Sequence, residues 1–190
     1  MFKTDPRKLL AQIAKVLEKT GIPYLVTGGM AVVAWGRPRY TADIDTVIEL
    51  HDENIEILAK ALMGLGKAGY ISTDAMKEAL RFRSEFNFVD GNTGMKVDFW
   101  ISKNDEFARS QFKRRIAQDV YGTEVYFSSP EDLILSKLLW YKLSSSNRHL
   151  EDIESIFAVS EDKLDHKYLA TWSQKLGAFD LLSPFLKEEK

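Results

Sequence analysis

The stretch from Gly28 to Asp45, GGMAVVAWGRPRYTADID, constrains this chain more than any other. It opens on two glycines, runs through an apolar segment, carries Arg39 and Thr41, and ends on Asp43-Ile44-Asp45. A strand alternates its side chains, so Asp43 and Asp45 share one face while Ile44 points to the other. Two carboxylates about 7 Å apart on one face repel each other unless positive charge sits between them. Hard divalent cations take carboxylate oxygens and meet that need. A lone D-x-D recurs by chance on the polar face of ordinary strands, and a lone Gly-Gly is usually a turn. The order carries the signal: a glycine pair at a strand end, a short helical stretch, then R-x-T-x-D-x-D. That order puts phosphate-cradling backbone N–H groups and a metal-binding carboxylate pair in one piece of chain.

A third acid follows at a distance. The run Met95-Lys96-Val97-Asp98-Phe99-Trp100-Ile101 alternates around a single carboxylate. Val97, Phe99 and Ile101 share one face; Asp98 shares the other with Lys96 and Trp100. Alone, Asp98 reads as a solvent-facing strand acid. Beside Asp43 and Asp45 it is the candidate third ligand. Residues 91–94, GNTG, read as a hairpin turn, so Asp98 lies antiparallel to a strand holding Phe86.

GG, then R-x-T-x-D-I-D, then a K-V-D-F strand, resembles the nucleotidyltransferase superfamily related to DNA polymerase β. Within it, the chain is similar to the small bacterial and archaeal branch of minimal nucleotidyltransferases and abortive-infection nucleotidyltransferase toxins. The match is good from Tyr24 to Asp98 and looser from Pro130 to Phe157. The resemblance implies transfer of a nucleoside monophosphate from an NTP to an acceptor hydroxyl or phosphate, with release of pyrophosphate. It implies Asp43, Asp45 and Asp98 as catalytic metal ligands for two Mg²⁺ ions, with Mn²⁺ as a substitute. Gly28 and Gly29 let backbone approach the phosphates. Arg39, Thr41 and Lys137 join the nucleotide-binding set, with Asp152 in support. Many relatives carry Gly-Ser where this chain has Gly28-Gly29. The toxin-like branch points to tRNA or protein as acceptor and to an antitoxin-type partner protein. The alternative is a catalytically silent nucleotide-binding or interaction module of the same fold. A metal-dependent phosphohydrolase is a third reading, and with His51, His149 and His166 as the only histidines the sequence argues against a histidine-rich hydrolase site.

Composition bounds the rest. The 190 residues suffice for one sizeable core with a helical extension. Lys+Arg 26 against Asp+Glu 28 gives a net charge of −2, which argues against a uniformly basic nucleic-acid binder and permits a local patch such as Lys113-Arg114-Arg115. With no cysteine there is no disulfide framework or zinc–thiolate site, as in a cytoplasmic protein. No run approaches the ~18 apolar residues of a membrane span, and the N-terminal MFKTDPRKLL lacks the apolar core of a signal peptide.

Periodicity gives the elements. Asp5 caps a helix to Thr20 with Leu9, Leu10, Ile13, Val16 and Leu17 on one face. Ile22 to Thr27 is a short strand, Met30 to Trp35 a short helix, and Asp43 to Leu50 a second strand. Helices follow over 52–69 and 73–80, then strands over 82–89 and around Asp98. A helix over 104–112 and strands over 116–121 and 123–127 complete a core over 1–128. From Ser129, a cap before Pro130, the pattern turns helical, and a charged tail after Leu186 closes the region 129–190. Lys137 falls within the apolar stripe of Ile134, Leu138 and Tyr141, where it must snorkel, pair or meet an anion. Asp152, at the inward edge of the next helix, is a pairing candidate. The expected fold class is therefore α/β (α+β): a short mixed sheet with packed helices, then a C-terminal helical region.

Overall fold

Six strands make one mixed sheet: β1 (Tyr24–Thr27), β2 (Asp43–Ile48), β3 (Glu85–Val89), β4 (Lys96–Ile101), β5 (Ile116–Val120) and β6 (Thr123–Phe127). Their order across the sheet is β3-β4-β2-β1-β6-β5. The computed structural model describes residues 5–186; the charged tail expected at 187–190 lies outside them. The helices are α1 (Pro6–Lys19), α2 (Gly28–Trp35), α3 (Ile55–Met63), α4 (Thr73–Phe82), α5 (Glu106–Arg114), α6 (Pro130–Ser144), α7 (Asn147–Ser160), α8 (His166–Lys175) and α9 (Phe179–Leu182).

The residues form two compact units. The first takes 1–30 and 40–128; the second takes 31–39 and 129–190.

In the first unit, β2 runs antiparallel to β1 and parallel to β4, and β3–β4 and β5–β6 are antiparallel hairpins. A parallel β2–β4 pair requires a crossover, which α3 and α4 supply. One sheet face is apolar: Ile44, Ile48, Phe86, Phe88, Val97, Phe99 and Ile101 are all buried. Phe86 stacks on its cross-strand partner Phe99 with ring centroids 5.1 Å apart. Helix α1 buries Leu9, Leu10, Ile13 and Leu17, each nearly inaccessible. Burying such a side chain stabilises by roughly 1.5–3 kcal/mol before conformational entropy is counted. Asp5 accepts a hydrogen bond from the Arg7 N–H and caps this helix, with Pro6 in its first turn.

Several boundaries differ from the sequence pattern by two residues or more. The helix expected over 52–69 is a single 3₁₀ turn, then α3, which ends at Met63. Gly64 caps it and Gly66 follows, and neither supports helix propagation. Helix α4 runs on to Phe82 because Arg83 adopts the left-handed conformation at its C-cap, φ 52°, so β3 starts only at Glu85. Helix α2 begins on Gly28 itself, two residues before the apolar run.

In the second unit, Ser129 caps α6 by accepting from the Asp132 N–H, with Pro130 in the first turn. Tyr168 donates to Asp132 at 2.6 Å, and the Asp165 N–H donates to Glu131 at 2.9 Å, which fix α8 against α6. The segment 31–39 is held to α7 through polar contacts: the Arg37 N–H donates to Ser155 Oγ at 2.7 Å, and Ser160 Oγ donates to the Trp35 carbonyl at 2.6 Å. A Cβ on Gly36 would meet Ser155 Oγ at 2.6 Å, so this crossing needs a glycine.

Candidate active site

Strand register brings the three acids together. Asp45 on β2 is the direct partner of Asp98 on β4, and Asp43 is the partner of Lys96. Paired residues point to the same face. Asp43, Asp45 and Asp98 therefore share the face opposite the buried Ile44, Val97 and Phe99. The burial alternates along β2, with Asp43, Asp45 and Val47 half-buried and Ile44, Thr46 and Ile48 buried. Asp98 is the deepest of the acids at 6 % exposure.

Each acid is held by its neighbours. Thr41 Oγ1 lies 3.2 Å from both the backbone oxygen and Oδ1 of Asp43, so the threonine of R-x-T-x-D-x-D braces the first acid. Asp45 faces Thr27 across the β1–β2 ladder. Lys96 Nζ reaches Asp98 Oδ2 at 2.8 Å, and this hydrogen bond chiefly raises the Lys96 pKa, with the charges of Asp43 and Glu85 adding to it. The Lys96 side chain is 48 % exposed, so it can swing into solvent at little cost.

The glycine bend lies against the acids. Gly28 ends β1 with φ +59°, and a Cβ there would stand 1.8 Å from Asp45 Oδ2 and 2.5 Å from its Cγ. Only glycine leaves the Asp45 carboxylate its place and tolerates that backbone. Helix α2 starts at this bend, so its first N–H groups open beside Asp45.

A fourth carboxylate lies on the same face. Glu85 on β3 pairs with Trp100, two residues beyond Asp98, and Asn87 pairs with Asp98 itself. Partial desolvation, then repulsion from Asp98 and Asp45, pushes the Glu85 carboxyl above its ordinary value, with Lys96 opposing. Alternation along this strand puts Glu85 and Asn87 on one side, and alternation alone does not link them to the acids. The hairpin register would have made that link, since Val89 pairs with Lys96.

In the second unit, Arg39, Lys137 and Asp152 form one cluster. Arg39 Nε donates to Asp152 Oδ1 at 2.8 Å and its Nη2 to Oδ2 at 3.0 Å, a bidentate pair. Lys137 Nζ meets Asp152 Oδ2 at 2.8 Å, with both side chains at least nine-tenths buried. The lysine in the apolar stripe of α6 is thus paired. His149 stands nearby on α7 with its Nδ1 buried and unbonded. Burial first, then the Lys137 charge, lowers its pKa.

Carboxylate oxygens suit a hard divalent cation, and the space that a Cβ at Gly28 would fill lies against one of them. Among the described residues, no three His, Asp or Glu side chains already stand in ligand geometry. Asp98 instead holds Lys96, a counter-charge that a bound cation would replace. Asp43, Asp45 and Asp98 are the carboxylates that would hold such a cation.

Several solved structures share this fold. The chain has the fold of a putative nucleotidyltransferase from Thermotoga maritima, with TM-score 0.52 and 16% identity over 80% of this chain and 94% of that one. It shares that fold with the antibiotic-resistance factor ANT(2'')-Ia, TM-score 0.59 at 15% identity over 97% and 100% of the two chains. An antigenic nucleotidyltransferase-like protein from Paracoccidioides brasiliensis matches with TM-score 0.54 and 18% identity over 94% and 90%. No curated protein matches the chain significantly. Residues 8–188 match the family model described as "Nucleotidyl transferase AbiEii toxin, Type IV TA system", and the chain belongs to that family.

Proposed function

We propose that the protein is a Mg²⁺-dependent enzyme that moves a nucleoside monophosphate from an NTP to an acceptor hydroxyl or phosphate on tRNA or protein, releasing pyrophosphate. The observation that carries this reading is the β2–β4 register, which sets Asp45 against Asp98 on one face with Asp43 beside them. The glycine bend at Gly28 lies against the same acids. Asp43 and Asp45 hold one or two ions, and Asp98 completes the second site or takes the acceptor's proton. Bound there, Mg²⁺ neutralises triphosphate charge and makes the acceptor hydroxyl more acidic. Thr41 keeps Asp43 oriented. Backbone N–H groups at Gly28 and Gly29 bind phosphate oxygens, and the missing side chains let them approach. Lys96 releases Asp98 and is left facing the same sheet face. Arg39 and Lys137, with Asp152 orienting them, remain proposed anion-binding cations of the second unit taken by itself. Catalysis of this kind rests on positioning and electrostatics. The type IV toxin–antitoxin family supports an antitoxin partner.

Incubation with each α-labelled NTP, Mg²⁺ and total lysate tests the reading. We expect one macromolecular fraction to take label and release pyrophosphate, with the label lost in Asp43→Asn/Asp45→Asn of unchanged melting temperature. Full-rate transfer by that double variant would refute the assignment. Nucleotide binding without pyrophosphate release across all acceptors would favour the silent binding module.

A further inference from the structure

In the β2–β4 ladder, the pair Asp45–Asp98 lies beside the pair Asp43–Lys96. On its other side Lys96 is paired with Val89 of β3, so its ladder neighbours are an acid and an apolar side chain. The Lys96 ammonium lies along its own strand, 2.8 Å from Asp98 Oδ2. That contact joins unequal groups: the Asp98 side chain is 8 % exposed and the Lys96 side chain 48 %. A nearly buried carboxylate without a counter-charge is costly, while an ammonium on a long flexible stem moves readily. Asp43, Asp45 and Asp98 outnumber the lysine, so this face keeps an excess of negative charge with Lys96 in place. Among the described residues, no three carboxylates already stand in ligand geometry.

We infer that Lys96 is a tethered competitor for the divalent ion: its ammonium holds Asp98 in the ion's stead, and on exchange it pairs with the phosphates that arrive with the ion. This inference rests on the nucleotidyltransferase reading above. Lys96 yields Asp98 to a bare ion at a loss, because the ammonium is left on a face whose negative charge the ion has just reduced. Lys96 yields Asp98 more readily to an ion carrying a polyphosphate, because the ammonium then finds new anionic oxygens on the same face. The lysine therefore weakens binding of the bare ion and strengthens binding of the ion–nucleotide complex. One side chain couples the two affinities, and by linkage the coupling is reciprocal. The acidic face thus favours an ion that enters together with substrate.

The test reads binding rather than turnover. Wild type, Lys96→Met and Lys96→Arg are titrated with Mn²⁺ alone, followed by its paramagnetic resonance signal. The same proteins are titrated by calorimetry with the Mg²⁺ complexes of α,β-methylene NTP analogues. Lys96→Met should tighten Mn²⁺ binding about three- to tenfold, the range expected for losing a half-exposed charged hydrogen bond. It should weaken the tightest analogue complex by a similar factor. Lys96→Arg keeps the charge and should stay closer to wild type on both. Structural damage to the site would lower both affinities together, so opposite signs separate exchange from a packing role. Without metal, Lys96→Met should melt below wild type, and saturating Mn²⁺ should narrow the gap. Should Lys96→Met fail to fold, Lys96→Gln carries the same expectations. Mn²⁺ affinity unchanged or weakened by loss of the lysine charge, or both affinities shifted in one direction, overturns the inference and leaves the metal site standing. If wild type binds no Mn²⁺ or no analogue complex, the nucleotidyltransferase reading itself fails and this inference falls with it.

Discussion

Replacing Gly28 by alanine separates two roles of one glycine. The first is conformational: φ is +59°, and an L-residue there costs about 1–2 kcal/mol. For a chain of this length that lowers the melting temperature by about 2–8 °C. The second is steric: the new Cβ would lie 1.8 Å from Asp45 Oδ2, whereas ordinary contact begins near 3.4 Å. The carboxylate must therefore retreat by about 1.6 Å, since repulsion below contact distance is steep. A misplacement of about 1 Å at a reacting centre costs on the order of 10²-fold in rate. Gly94 is the control, with φ +70° and nothing within 4 Å of its would-be Cβ. Calorimetry and labelled-nucleotide transfer, run on both variants, should show similar losses of melting temperature. Activity should fall about 10²-fold or more in Gly28→Ala alone. Equal activities in the two variants would refute the claim that Gly28 makes room for a working Asp45.

Further outcomes concern the second unit. Asp152→Asn leaves Lys137 buried without its carboxylate, and losing one partner of a buried pair costs roughly 3–5 kcal/mol. Urea unfolding should show that loss, and a smaller one for Arg39→Ala, because Arg39 is 24% exposed and Lys137 still neutralises Asp152. His149 has a folded pKa below its ordinary 6.5, so the unfolded chain binds a proton that the folded chain does not as pH falls below 6.5. Stability drops through that window until the folded histidine also protonates. His149→Asn should flatten this part of the stability–pH curve, and an unchanged slope would contradict the assignment.

Much of the site was legible because its signals are local. The D-x-D spacing and the alternation about Asp98 each fix a face within one strand, and the 91–94 turn fixes the β3–β4 pairing. The parallel β2–β4 register was not legible, since the chain between those strands is long and its crossover is set by how α3 and α4 pack. Glu85 was missed for the same reason: its relation to Asp45 passes through two ladders. The allegiance of residues 31–39 to the C-terminal helices depends on Gly36, Ser155 and Ser160 meeting in space, and no periodicity records that. The helix start at Gly28 was offset because glycine propensity argues against a helix, while the close approach to Asp45 demands glycine there.

The central claim is that Asp43, Asp45 and Asp98 together hold a divalent cation. A Mn²⁺ binding isotherm, following free ion by its paramagnetic resonance signal, tests it without reference to any acceptor. The account predicts saturable binding in the wild type and its loss in Asp43→Asn/Asp45→Asn. Superimposable isotherms for the two proteins would contradict it.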